Sequence, residues 1–194
     1  LIAVNGNTLE DPRNRTLLQP QKPRLFWNSG ESGFYDLAPV AGAALTHLWN
    51  ARGLAAADYD LDGDVDFVVT TNRGPALLLR NDGGNRHHWL KLRLHGVRSN
   101  RQGIGTKAWL SAGPIHAYAE MGTGGSYLSQ NFLELHFGLG SQQTVDRLEL
   151  LWPSGTRQVF TNLPANQLVE AVESGLHAGL RPIELPPRTH SDSR

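Results

Sequence analysis

In its second half this chain is apolar at every other position, and that period leaves little room for helices. In WLKLRL (89–94), Leu90, Leu92 and Leu94 alternate with Lys91 and Arg93. FLELHF (132–137) sets Leu133, Leu135 and Phe137 against Glu134 and His136. DRLELLW (146–152) aligns Leu148, Leu150 and Trp152 in the same way. Side chains that switch face at each residue belong to half-buried strands. In the first half LAAADYD, DFVVTT and AALTHLW read as further short strands, and residues 163–173 fit a strand or a short helical turn equally. The 21 glycines and 11 prolines supply the turns between them. The expected fold is all-β.

The 194 residues suffice for one domain or two small ones with a real core. Lys+Arg and Asp+Glu both number 18, so a whole-chain footprint for nucleic acid is not expected. Without cysteine, disulfides, thiolate metal sites and a cysteine nucleophile are excluded. No apolar run approaches the roughly 20 residues that span a bilayer. The chain starts at Leu1 and reads as a mature or truncated piece.

One stretch breaks the even distribution of charge. DYDLDGDVD (58–66) packs five aspartates into nine positions, with no basic residue among them. Such carboxylates repel one another unless a cation lies between them. Asp58, Asp60 and Asp62 hold positions one, three and five, Gly63 permits a sharp turn at six, and Asp66 follows at nine. Hard oxygen ligands without His or Cys favour calcium. An EF-hand would need a glutamate at position twelve and flanking helices, but Val69 stands there and the flanks read as strands. The expectation is a calcium loop in a β-hairpin, with side chains from Asp58, Asp60, Asp62 and Asp66 and the backbone carbonyl of Asp64. Magnesium, which keeps more water, fits less well.

A weak repeat surrounds the loop. LFWNSGESG from Leu25 and LLRNDGGN from Leu78 align Asn28 with Asn81 at a spacing of 53 residues, which suits a β-propeller blade. DYDLDGDVDFVVT, preceded by GLAAA, resembles the FG-GAP/VCBS repeat of integrin-α-like β-propellers, whose loop binds calcium. LFWNSGESGFYDLAPVAG resembles the opening of the same repeat. The resemblance covers residues 1–85 and implies about one four-stranded blade after an incomplete one.

Residues 86–174 resemble the ASPIC/UnbV domain that follows such propellers in the cartilage acidic protein family. HWLKLRL, SNRQGIGTK, GSYLSQN, HFGLG and WPSG carry the likeness, while Gln102 departs from the acidic residue more common in the family. This part is expected to be a small antiparallel β-sandwich-like domain, with residues 175–194 a Pro-rich tail. Within it Trp89, Phe137 and Trp152 are expected in the core, and Asn100 and Arg101 beside glycine turns suit a structural or a ligand-recognising role. GIGTK lacks the Walker spacing, and no Gly-x-Ser-x-Gly occurs. His87 and His88 are adjacent and point to opposite faces of a strand, which does not suit a shared metal. Asn14-Arg15-Thr16 is a glycosylation sequon.

Charge is segregated after the loop. Between Arg73 and Lys107 eight basic residues (73, 80, 86, 91, 93, 98, 101, 107) face one acid, Asp82. The leading expectation is a non-enzymatic, calcium-stabilised adhesion or assembly module, extracellular, cell-surface or periplasmic. Its partners would be other protein chains or the remainder of its own propeller. A polyanion-binding module using residues 73–107, for acidic polysaccharide or, less expected, nucleic acid, is the alternative. A hydrolase comes third, because no acid–base or nucleophile constellation is visible.

Overall fold

The computed structural model describes residues 1–6, 13, 19–173 and 179–185. The sequon at Asn14 and most of the tail lie outside them. The chain is mostly β and divides into two units. The first comprises residues 1–57, 66–80 and 124–131; the second comprises 58–65, 81–123 and 132–194. Each is therefore interrupted in sequence. GSYLSQN (125–131), quoted above for its second-half likeness, belongs to the first unit, and most of the aspartate loop belongs to the second.

Among its described residues, the first unit contains two three-stranded antiparallel sheets. One joins β1 (Ile2–Ala3), β2 (Arg24–Asn28) and β3 (Phe34–Asp36). The other joins β4 (Ala51–Ala57), β5 (Asp66–Thr71) and β6 (Leu77–Leu79). Among the described residues the strands form two three-stranded sheets, where the sequence led to about one four-stranded blade after an incomplete one. AALTHLW, expected as a strand, begins with a helical turn, α2 (Ala43–Thr46), which follows α1 (Ala38–Ala41). Pro39 sits in the first turn of α1, Asp36 Oδ1 accepts the Ala38 N–H at 3.0 Å, and alanine favours the helical backbone. The free edge of β4 is met by the returning segment: Asn131 Oδ1 accepts the Ala56 N–H at 3.0 Å, and the Arg52 guanidinium lies 4.7 Å from the centre of the Tyr127 ring.

The second unit is a β-sandwich. One sheet runs β10 (Glu134–Gly140), β7 (His88–His95), β13 (Gln167–Val172), β14 (Gly179–Pro182). The other runs β12 (Arg157–Pro164), β11 (Thr144–Leu151), β8 (Lys107–Ala112), β9 (Ile115–Glu120). Period two sends Leu90, Leu92 and Leu94 from the first sheet, and Leu148, Leu150 and Leu110 from the second, into one core with Phe137, Trp152 and Phe160. Residues 167–172 settle as strand. Two expectations change here. β7 and β13 pair in parallel, so the sandwich is not purely antiparallel. Residues 179–182, expected in the tail, complete a sheet edge against β13.

Candidate metal centre

The aspartate loop joins β4 to β5, so its geometry is largely local. Leu61 and Gly63 adopt positive φ, 60° and 102°, which turns the chain tightly enough to face alternate carboxylates inward. Asp58 Oδ1 accepts the Asp62 N–H and Asp58 Oδ2 the Gly63 N–H, both at 3.0 Å. Asp62 Oδ1 accepts the Asp64 N–H at 3.0 Å. These bonds close the loop around its first residue.

Within it, ligand oxygens of Asp58, Asp60 and Asp66 all lie within 4.8 Å of one another; Asp58 and Asp66 are buried, Asp60 exposed. Oxygens bound to one calcium at about 2.3–2.6 Å stand no more than roughly 5 Å apart. The three carboxylates therefore suit a hard cation in both chemistry and spacing. The carboxylates of Asp62 and Asp64 are not in that group; the ligand expected from Asp64 is its backbone carbonyl. Asp62 is turned to its own loop backbone, and Asp64 Oδ2 accepts the Gly84 N–H at 3.0 Å.

The loop is seated by residues far away in sequence. Strand β7 directs Leu90 and Leu92 into the core, so Trp89 and Lys91 point to its other face, where residues 58–65 cover them. Lys91 is wholly buried, and its ammonium is hydrogen-bonded to Asp58 Oδ2. That ammonium also lies 5.1 Å from the centre of the Trp89 ring. A Cβ on Gly63 would come within 2.0 Å of Trp89 Nε1, so the turn fits only as glycine. His136, from β10, places Nε2 at 3.1 Å from the Gly63 carbonyl. Burial pushes its pKa below the ordinary value, outweighing the carbonyl contact that favours the proton.

Lys91 was missed as a partner of the loop because WLKLRL, by alternation alone, assigns it to solvent. The available cue was five aspartates with no basic residue nearby. A second missed residue is Glu173, 2% exposed. Its Oε2 accepts the N–H groups of Val97, Arg98 and Ser99 at 2.8, 2.8 and 2.7 Å, and its Oε1 accepts the hydroxyls of Ser99 and Ser154. Burial alone would raise its pKa, but the Ser154 hydroxyl and these backbone donors outweigh that and hold it at about 2. Asn100, considered as a ligand-recognising residue, instead bonds the Ile104 backbone through both side-chain atoms, at 2.7 and 2.8 Å. Arg101 is exposed.

The basic stretch 73–107 is thinned by the fold. Lys91 is withdrawn from solvent, and Arg93 is tied to Glu134 at 2.6 Å. Arg73, Arg80, Arg86, Arg98, Arg101 and Lys107 remain exposed.

An aspartate-rich hairpin loop ahead of a β-sandwich defines a modular mostly-β protein, and the comparisons say which modules these are. Residues 16–69 match the FG-GAP-like repeat, and residues 96–178 match the ASPIC and UnbV domain. The chain thus carries an FG-GAP-like repeat followed by an ASPIC/UnbV domain. It is distantly similar to human cartilage acidic protein 1, 26% identical over 136 residues, covering 68% of this chain and 20% of that protein. It spans about a fifth of the length of that relative.

Proposed function

We propose that this chain is a calcium-stabilised, non-enzymatic adhesion or assembly module of the cell exterior or periplasm. The observation that carries the reading is the convergence of Asp58, Asp60 and Asp66 within 4.8 Å, in a loop inside the FG-GAP-like match. Repeats of that kind typically bind calcium. Asp58, Asp60 and Asp66 would hold the ion, and its charge would offset their mutual repulsion. The loop's own N–H groups orient Asp58, while Trp89 and His136 pack the turn against β7 and β10. Nothing in this role requires turnover.

Assembly is supported by the first unit's surface. Trp27 and Tyr35, paired across β2 and β3, are 56% and 49% exposed, and Val68 and Leu78, paired across β5 and β6, are 41% and 52% exposed. A propeller blade covers such faces with its neighbours. The covering polypeptide would be other chains or further parts of the same gene product.

The test is thermal unfolding with calcium and with a chelator. An ion bound only by the folded loop raises the melting temperature, by the equivalent of about 2.7 kcal/mol at 100 times Kd. Identical melting in calcium and chelator, with no binding heat, would remove the calcium reading.

A further inference from the structure

We propose that Lys91 is a resident cation of the aspartate loop, holding it closed without calcium and setting a weak calcium affinity. The inference rests on the calcium reading and adds a regulator to it. Asp58 is both a member of the converging trio and the partner of Lys91. Its side chain and that of Lys91 are 1% and 0% exposed, so the pair is shielded from the water that weakens surface ion pairs.

The hydrogen bonds divide Asp58 into two working halves. Oδ2 takes both the Lys91 ammonium and the Gly63 N–H. Oδ1 takes only the Asp62 N–H among the bonds above, and a carboxylate oxygen has two lone-pair sites. Oδ1 therefore keeps room for an ion while Oδ2 is committed to the lysine. One carboxylate serves two cations at once.

Two consequences follow from charge. The loop's first ligand is neutralised before any ion arrives, so the closed loop survives low calcium. A fixed positive charge beside the site also opposes the incoming divalent ion, lowering its affinity. Both effects place the site at the weak end of calcium loops, with Kd of about 0.1–1 mM, a range that fills in calcium-rich surroundings. Trp89 reinforces the arrangement, because its ring beside the ammonium and its contact with Gly63 hold lysine and turn together.

The test is calcium titration by calorimetry on the full chain, with thermal melts in calcium and in chelator, for wild type, Lys91→Met and Lys91→Gln. Glutamine keeps a donor for Asp58 and loses only the charge. Both variants should bind calcium at least ten-fold more tightly than wild type. Both should melt lower than wild type in chelator and recover a larger share of stability with calcium. Equal affinity in all three would overturn it while leaving the calcium reading intact. Absence of binding and of any melting shift in all three would overturn both. Failure of both variants to fold even in 10 mM calcium would also overturn it, since the ion could not then stand in for the lysine.

Discussion

The two units use the same kind of strand to opposite ends. In the second, alternate residues of two sheets meet in one core, with Leu90, Leu92, Leu139, Leu148 and Leu150 all wholly buried. In the first, the buried apolar residues among those described are Ala38, Leu45, Ala51 and Val69. There Trp27, Phe34, Tyr35, Leu48 and Leu78 each remain about half exposed or more. A sandwich closes its apolar faces on itself, whereas a blade presents them to the next blade. The contrast separates a unit that closes its apolar faces on a core of its own from one that leaves them open.

The sharpest way to break that contrast is to remove equal amounts of side chain from each unit. Leu148→Ala empties space in a closed core and should cost about 3–4 kcal/mol by urea unfolding. Leu78→Ala, on a half-exposed position of β6, should stay within about 0.5 kcal/mol. Comparable losses from the two would mean that the first unit is as well packed as the second.

Within the second unit, the next largest effect should come from its buried carboxylate. Glu173→Gln keeps the shape but loses the charge that three successive N–H groups and two hydroxyls address, at a cost of about 2–3 kcal/mol. The pH dependence has a definite sign. The folded pKa, about 2, lies below the ordinary 4.5, so the stabilisation is complete above pH 4.5 and lost as pH falls from there towards 2. Glu173→Gln should flatten the acid limb of stability against pH in that window. An unchanged acid limb would show that the loop 97–99 is held by something other than the carboxylate.

Legibility in the sequence followed the same division. Period two located β7, β10 and β11 and chose their inward faces correctly, because those faces meet a core made by the chain itself. It failed at Lys91, where a loop from far upstream covers the outer face of β7; alternation reports which residues share a face and not whether that face meets water. It failed at AALTHLW because its alanines favour a helical turn, fastened by the Thr46 hydroxyl and the Trp49 indole N–H donating to the Ala43 and Ala44 carbonyls, that an apolar count does not register. Spacing alone pointed to all five aspartates of the loop; the carboxylates of Asp58, Asp60 and Asp66 do converge, because nine consecutive residues can turn back on themselves locally. Glu173 was illegible because its donors lie in loops 97–99 and at Ser154, joined only by the fold.

Association should respond to the first unit and hardly at all to the second. Light scattering at micromolar concentration with calcium present is expected to find oligomers or aggregate, since burying each exposed aromatic or aliphatic side chain is worth about 1.5–3 kcal/mol. Phe34→Ser with Leu78→Ser should shift the chain towards monomer while changing its unfolding free energy little. A monomeric wild type with cooperative unfolding would show that the exposed faces need no cover, and would remove the propeller partner from the proposed function.

The smallest effect is expected from the basic residues left on the surface. If the chain gripped an acidic polysaccharide electrostatically, retention on heparin would fall steeply with salt, by a slope counting the groups neutralised. Lys91 and Arg93 cannot contribute fully to such a slope, because one is buried against Asp58 and the other is bonded to Glu134. Arg98 and Arg101 are exposed, but Arg98 gives its backbone N–H to Glu173, so its position depends on the core carboxylate rather than on a ligand. Arg98→Ser with Arg101→Ser should therefore leave stability unchanged and lower the sodium chloride needed for elution only slightly. A large drop, with a salt slope reduced by about two, would assign polyanion binding to the second unit. That unit would then be a binding surface as well as a self-sufficient core, and the contrast with the first would lie in the kind of partner rather than in the need for one.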